Sequence, residues 1–137
     1  MTKQNKLEFI EPTNPGEPPS IDDELGEMRR PEWSSQLSVN VSRGPVSASW
    51  QTQYMSEQVL GYEDGGEIET ALQNFGPAAF TGDVFIHNVS GAYDVSDKLR
   101  LYGGVANVTD EKPFATERAY PVSPVGRTLF VGVNLSL

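Results

Sequence analysis

The chain reads as an all-β protein, an antiparallel up-and-down meander of five strands over residues 33–42, 45–55, 83–95, 99–109 and 126–137. Three observations predict this. Apolar and polar residues alternate with a period of two along these stretches, as in strands with one dry and one wet face. Tight turns alternate with long polar connections, and in a meander that puts every long connection at the same end. No stretch approaches the roughly 20 consecutive apolar residues of a membrane-spanning helix, whereas a membrane strand needs only about 9 to 11 residues. The expected architecture is a partial transmembrane β-barrel with long loops at one end.

Residues 1–32 read as one long acidic loop, punctuated by Pro12, Pro15, Pro18, Pro19 and Pro31. The first strand follows, with Trp33, Leu37, Val39 and Val41 at odd positions and Ser34, Gln36, Ser38, Asn40 and Ser42 at even ones, Ser35 being the interruption. Arg43-Gly44 makes a tight turn into the second strand. There Val46, Ala48, Trp50, Thr52 and Tyr54 alternate with Ser47, Ser49, Gln51 and Gln53, completing a hairpin. Residues 56–82 are a second long, acidic, glycine-containing connection.

The third strand, 83–95, carries Phe85, Val89, Tyr93 and Val95 on its odd face, but Val84 and Ile86 oppose them, so its dry side stays open. Ser96-Asp97-Lys98 turns into the fourth strand, with Leu99, Leu101 and Val105 on one face. Residues 110–125, with Pro113, Pro121 and Pro124, form the third long connection. The last strand aligns Leu129, Val131, Val133, Leu135 and Leu137 against Thr128, Gly132, Asn134 and Ser136, with Phe130 the exception. The odd faces of strands one, four and five and the even face of strand two are the expected lipid-facing sides.

Composition bounds the function. The 137 residues are 37% hydrophobic and carry a net charge of −9 and no cysteine, with a mean hydropathy of −0.40 and a pI near 4.5. Such a chain is a poor partner for nucleic acid, whose phosphates attract clustered Lys and Arg. Without cysteine, a disulfide scaffold and thiolate metal sites are excluded. All of the 19 acidic residues except Asp94 and Asp97, and all ten prolines except Pro45, fall in or at the edges of the long segments. Low hydropathy is compatible with a barrel, since alternate strand positions are polar. Trp33 and Tyr54 at the long-loop end and Tyr93 near the short-turn end are placed as an interfacial aromatic girdle. The start, Met1-Thr2-Lys3-Gln4-Asn5-Lys6, does not lead into an apolar signal-peptide core.

No catalytic constellation emerges, so enzymatic activity, a cofactor and a metal are not expected. His87 is the single histidine and reads as a packed or pore-lining polar residue. Gly65-Gly66 and Gly103-Gly104 lack a phosphate-loop lysine and read as turn and close-packing glycines. The acid clusters Asp22-Asp23-Glu24 with Glu27, and Glu63-Asp64 with Glu67 and Glu69, do not follow a calcium-loop pattern and read as solvated loop. Arg127 at the head of the last strand and Arg100 on the polar face of the fourth are expected to pair with loop or plug carboxylates in an intact barrel. Asn107 and Asp110 are expected to shape the strand-to-loop bend through side-chain to backbone hydrogen bonds.

Leu101-Tyr102-Gly103-Gly104-Val105-Ala106-Asn107-Val108-Thr109-Asp110-Glu111-Lys112-Pro113, then Tyr120-Pro121, then Gly126-Arg127-Thr128-Leu129-Phe130-Val131-Gly132-Val133 resembles the carboxyl end of TonB-dependent outer-membrane receptors. The family pattern has Asn and Asp followed by Pro, then Tyr and Gly-Arg before an alternating last strand, which here fall on Asn107, Asp110, Pro113, Tyr120, Gly126 and Arg127. The stretch from Gly26 to Trp33, with Gly44-Pro45 and Trp50 to Tyr54, resembles the preceding part of that barrel. Leu137 stands where family members end in Phe or Trp, Val108 replaces a Leu, and Thr109 an aromatic.

The resemblance implies residues 33–137 as the last strands of a barrel of about 22 strands, in the outer membrane of a Gram-negative cell. Its implied role is import of bulky nutrients such as iron-siderophore complexes. The implied partners are outer-membrane lipid, a plug domain, the TonB energy-coupling protein, the barrel-assembly machinery and a small-molecule cargo. This chain, which shows no plug domain and no energy-coupling box, is expected to be a fragment that does not transport alone. Five strands leave two open edges, each unsatisfied backbone group costing several kcal/mol in lipid. The alternative readings are a soluble β-sandwich binding module, with its dry faces meeting each other, and an oligomeric pore.

Overall fold

A computed structural model describes residues 1–11, 15–16, 18–59, 68–114 and 119–136. The elements in chain order are β1 (Thr2–Lys3), β2 (Glu8–Glu11), β3 (Ser20–Asp23), β4 (Trp33–Arg43), β5 (Val46–Met55), α1 (Ile68–Phe75) with a 3-10 turn at Gly76–Ala79, β6 (Val84–Ser96), β7 (Leu99–Ala106) and β8 (Thr128–Leu135). One antiparallel six-stranded sheet runs in the order β1-β4-β5-β6-β7-β8, and β2 and β3 form a separate two-stranded sheet. Strands β4 to β8 are the meander expected from the alternation. The large sheet is open, with β1 at one margin and β8 at the other.

Four expectations are corrected. Residues 1–32 are not all loop: β1 pairs with β4 through Thr2 and Ser34, and Lys3 and Trp33, while β2 and β3 pair from Glu8 and Asp23 to Glu11 and Ser20. The 56–82 connection contains α1, which ends where Gly76 takes φ +57°, the left-handed position that favours glycine after a helix. The fourth strand stops at Ala106, not 109, because Asn107 turns into the left-handed region at φ +53°. The last strand begins at Thr128, not 126, after Gly126 at φ +75°, and Ser136 lies beyond its end. Leu137 lies outside the described residues.

The fold divides into two compact units. One comprises Met1–Ser35 and Met55–Val84, the other Gln36–Tyr54 and Phe85–Leu137. In the first, Met55, Ala71, Ala79 and Val84 form a small apolar core around a buried glutamine, Gln58. The Gln58 Oε1 accepts the Arg29 N–H at 2.6 Å, and its own N–H donates to Thr81 Oγ1 at 2.9 Å, while the Thr81 N–H returns to the Gln58 carbonyl at 3.0 Å. Such reciprocity offsets the desolvation of a buried amide. Arg30 pairs with Glu24 and, at 3.6 Å, with Glu27. Two members of that acid cluster are therefore engaged by an arginine within the loop.

The second unit is most of the large sheet, and its packing sets its two faces apart. In register across β6, β7 and β8 lie Val89, Val105 and Leu129 in one row and Tyr93, Leu101 and Val133 in another. Between them run rows of the opposite face: Ser90, Gly104 and Phe130, then Ala92, Tyr102 and Gly132. A bulge between Asp94 and Ser96 absorbs one residue before the Asp97-Lys98 turn. The side of strand three is thereby decided. Phe85, Val89 and Tyr93 share the face of Leu101 and Val133, and Val84 and Ile86 are buried on the other.

Aromatic rings fill the space that glycines leave on the polar face. A Cβ on Gly132 would lie 2.2 Å from the Tyr102 ring, and one on Gly104 would lie 2.7 Å from Phe130 Cζ and 2.4 Å from the Val89 carbonyl oxygen. A backbone oxygen cannot swing aside. Gly104→Ala is expected to destabilise the sheet by about 1–3 kcal/mol, read as a lowered urea midpoint of the strand circular dichroism signal.

Candidate interaction face and strand-to-loop clasp

The most unusual property of the sheet is where its large apolar side chains lie. Val39 and Val41 of β4, Val46 and Trp50 of β5, Phe85, Val89 and Tyr93 of β6, and Leu101 of β7 are all 40% exposed or more. On β8 the exposure of Leu129, Val131, Val133 and Leu135 is 76%, 91%, 64% and 62%. Ile86 and Val122 are the buried large apolar residues of this unit among those described. Apolar patches much beyond a few hundred Å² mark interaction or membrane surfaces. An isolated exposed valine means nothing, but here every strand from β4 to β8 adds to one face.

The opposite face is polar. Ser38, Asn40, Ser49, Gln51, Asn88 and Ser90 line one hollow, which adjoins a second lined by Ser42, Ser47, Arg100 and Tyr102. Arg100 lies 3.6 Å from Asp94 and donates to Ser47 Oγ at 3.1 Å. It thus pairs with a carboxylate of the neighbouring strand β6, not with one of a loop or plug.

An aromatic group on β5 and β6 borders the apolar face. Tyr54 and Phe85 pack at 5.0 Å between ring centroids, Phe85 and His87 stack at 6.4 Å, and His87 and Trp50 stack at 6.0 Å. His87 is therefore a packed member of an aromatic ladder, on the face of Phe85 and Trp50. Of the three aromatics expected to form a girdle, Tyr54 is half-buried against Phe85, Tyr93 is 50% exposed beside Leu101, and Trp33 carries the Lys3 ammonium 4.8 Å from its ring centroid.

Four of the six motif residues converge in a clasp that ties the end of β7 to the start of β8. Asn107 is buried, its N–H donating to Asn88 Oδ1 at 2.9 Å. Its side chain closes a ring with Glu111: Nδ2 donates to the Glu111 carbonyl at 2.8 Å and Oδ1 accepts the Glu111 N–H at 2.8 Å. The left-handed backbone that this needs is tolerated by asparagine better than by most residues.

Asp110, also left-handed at φ +58°, accepts the Arg127 N–H on Oδ1 at 2.8 Å and meets Lys112 Nζ on Oδ2 at 2.7 Å. Gly126 leaves room for that carboxylate, since a Cβ there would lie 2.6 Å from Asp110 Oδ1. Arg127 thus contributes its backbone to the clasp.

Tyr120 stands apart from the clasp, its carbonyl accepting the Phe114 N–H at 2.9 Å and its ring edge-on to Phe114 at 5.6 Å. Pro113, half-buried, lies between Lys112 and Phe114. Asn88 is the clasp residue that the alternation alone does not single out. Its signal is a polar amide next to Val89, level with the last residue of β7.

The Lys112 hydrogen bond first, and the Arg127 N–H second, hold the Asp110 carboxyl below its ordinary value of 3.8. A depressed folded pKa means that the carboxylate's contribution is complete above the ordinary value and is lost as pH falls through the lower folded one. The Arg127 amide resonance is expected to titrate with a midpoint below 3.8. Lys112→Met should move that midpoint upward.

Among the described residues no group of three or more His, Cys, Asp or Glu converges as a metal site, and no helix is long and apolar enough to cross a membrane, which says nothing of crossing by strands. Comparison with family models, curated proteins and solved structures finds no match to this chain.

Proposed function

We propose that β4 to β8 are the carboxyl-terminal strands of an outer-membrane barrel of the TonB-dependent receptor type, with the apolar face turned to lipid and the polar face to the lumen. The observation that carries this reading is the continuous exposed apolar face, most extreme at Val131 of β8, backed by a polar opposite face. Strands that alternate between lipid and an aqueous interior have this pattern. The resemblance of Leu101–Pro113 and Gly126–Val133 to the family's carboxyl end adds the identity of the barrel. The clasp then serves as architecture for an outer loop, and the nutrient is taken up by the complete receptor with its plug and energy-coupling partner.

The open margins of the sheet fit the same reading. Outside its two residues of pairing with β1, β4 has an edge to be continued, and β8 pairs on one side with β7. In lipid such edges must be paired, and further barrel strands would do so. A soluble sandwich would instead need a second layer over Leu129, Val131 and Val133, which are exposed here.

The chain's lack of cysteine makes the test direct. Nitroxide labels are placed singly through Val131→Cys and Ser49→Cys on the full chain in lipid vesicles. The label on β8 is expected to be accessible to oxygen and shielded from a nickel chelate, and the label on β5 the reverse. Water exposure at both positions, or a soluble monomer that melts cooperatively without detergent, would overturn the proposal.

A further inference from the structure

We propose that the outer edge of β8 docks the β8 of a second copy of this chain, the two strands pairing antiparallel about a two-fold axis at Gly132. The inference goes beyond the barrel reading and does not depend on it, because it concerns a chain whose β8 margin no further strand has covered. A closing barrel strand and a second β8 compete for the same edge.

The two margins of the large sheet differ in how they are guarded. At the β4 margin, Thr2 and Lys3 pair with Ser34 and Trp33, the Gln4 N–H donates to the Glu32 carbonyl, and Lys3 Nζ lies 3.3 Å from the Glu32 carboxylate. That strand also ends in a charged residue, Arg43. Charges, prolines, bulges and short covering segments are the devices that keep an edge from pairing. On β8 none of them is present: Thr128 to Ser136 contains no charged residue and no proline, and the register with β7 runs unbroken from Thr128 to Leu135. One side of β8 is taken by β7, and among the described residues no strand pairs with the other.

Charge and parity select the occupant. The chain carries a net charge of −9, with its acids concentrated in the long segments, so two copies meeting through those segments set carboxylate against carboxylate. Along β8 they meet no charge at all. A two-fold axis normal to the sheet sets residues of equal parity opposite one another, so the apolar side chains of both copies fall on one face. Centred on Gly132, it brings Leu129 against Leu135, Val131 against Val133, Phe130 against Asn134 and Thr128 against Ser136 of the second copy. This centre pairs every residue from Thr128 to Ser136, and the same patch serves both copies. Cross-strand aliphatic pairs then form on the apolar face, and backbone N–H and C=O groups at the margin gain partners.

The test uses the full chain in lauryldimethylamine oxide micelles, with micelles in excess so that two chains share one by binding and not by crowding. Nitroxides on Leu129→Cys and, separately, on Leu135→Cys are expected to give the same interchain distance by pulsed dipolar spectroscopy. That distance is about 20 Å, the span from residue 129 to residue 135 at about 3.4 Å per residue. Thr128→Asp combined with Ser136→Asp sets acid opposite acid at both ends of the pair, and is expected to weaken association about fivefold or more in sedimentation. The corresponding double lysine variant behaves alike, and an equimolar mixture of the two variants restores association. Both positions are exposed and lie at the ends of β8, and an unchanged circular dichroism spectrum reports that the sheet is intact. A monomer at every concentration overturns the proposal, as does a mixture that associates no better than either variant alone. Unequal distances at the two labels also overturn it, assigning the edge to another register or to the β4 margin of the second copy.

Discussion

With β8 turned to lipid as proposed, Val131→Arg is expected to destabilise the chain in a bilayer by about 2–4 kcal/mol, the cost of an arginine on the lipid face of a strand near the bilayer midplane. Val131 is 91% exposed and sits in the middle of β8, opposite Gly103. Removal of its packing is a minor part of the effect, because little protein packs against it. The penalty arises from placing a guanidinium in hydrocarbon, and it falls to about 0–1 kcal/mol near the interfaces. Leu135→Arg, at the end of β8, is therefore expected to cost less than Val131→Arg. Ser49→Arg, on the polar face, should stay within about 0.5 kcal/mol.

The same substitution separates the readings. If water covered the apolar face, Val131→Arg would change stability by no more than about 0.5 kcal/mol and would improve solubility. Urea titrations of vesicle-bound chain, followed by tryptophan emission from Trp33 and Trp50, measure the difference. An unchanged midpoint for Val131→Arg would contradict a lipid-facing β8.

Asn107→Ala is expected to cost about 3 kcal/mol, the second large effect. Two hydrogen bonds with the Glu111 backbone disappear from a buried site, at about 1 kcal/mol or more each. Alanine must also hold φ near +53°, which adds about 1–2 kcal/mol for a residue with a Cβ and no compensating side-chain bond. Asn107→Gly removes the hydrogen bonds without the conformational strain, so it is expected to cost about 1 kcal/mol less than Asn107→Ala. Denaturant midpoints of the three proteins, taken under one condition, decide the order. Equal midpoints for Asn107→Gly and Asn107→Ala would show that the left-handed turn carries no strain.

The clasp also shows how much of the site is legible in a sequence. Asn107, Asp110, Gly126 and Arg127 are separated by up to twenty residues, yet their residue types indicate a bend and a turn. Side-chain oxygens that can bond local backbone, and glycine where φ is positive, are chemical signals that need no tertiary structure. That Asp110 reaches across to the Arg127 N–H, and that Gly126 is there to admit its carboxylate, depends on β7 and β8 being neighbours. The alternation predicts that the two strands are neighbours, but no local pattern encodes the register that brings Asp110 to Arg127.

The same limit explains the errors along the chain. Alternation marks β4, β5, β7 and β8 because one face of each is consistently apolar. It fails for β1, β2 and β3, two to four residues long, which are too short to show a period, and for α1, whose surrounding glycines and acids resemble loop. It is ambiguous for β6, where Val84 and Ile86 are buried on one side and Phe85 and Val89 are exposed on the other. A strand that carries apolar residues on both sides has no phase of its own, so its faces are assigned by its neighbours.

By itself the sequence determined the strand order, the tight turns, the long acidic connections and the apolar parity of four of the five long strands, because each follows from side-chain period and backbone preference within a few residues. Tertiary structure alone decided which face of β6 joins the apolar surface, that Tyr102 and Phe130 lie over glycines on the polar face, and that Asn107, Asp110, Gly126 and Arg127 close one clasp. These are properties of register between strands, set by long-range hydrogen bonding, and register has no signature in any single strand.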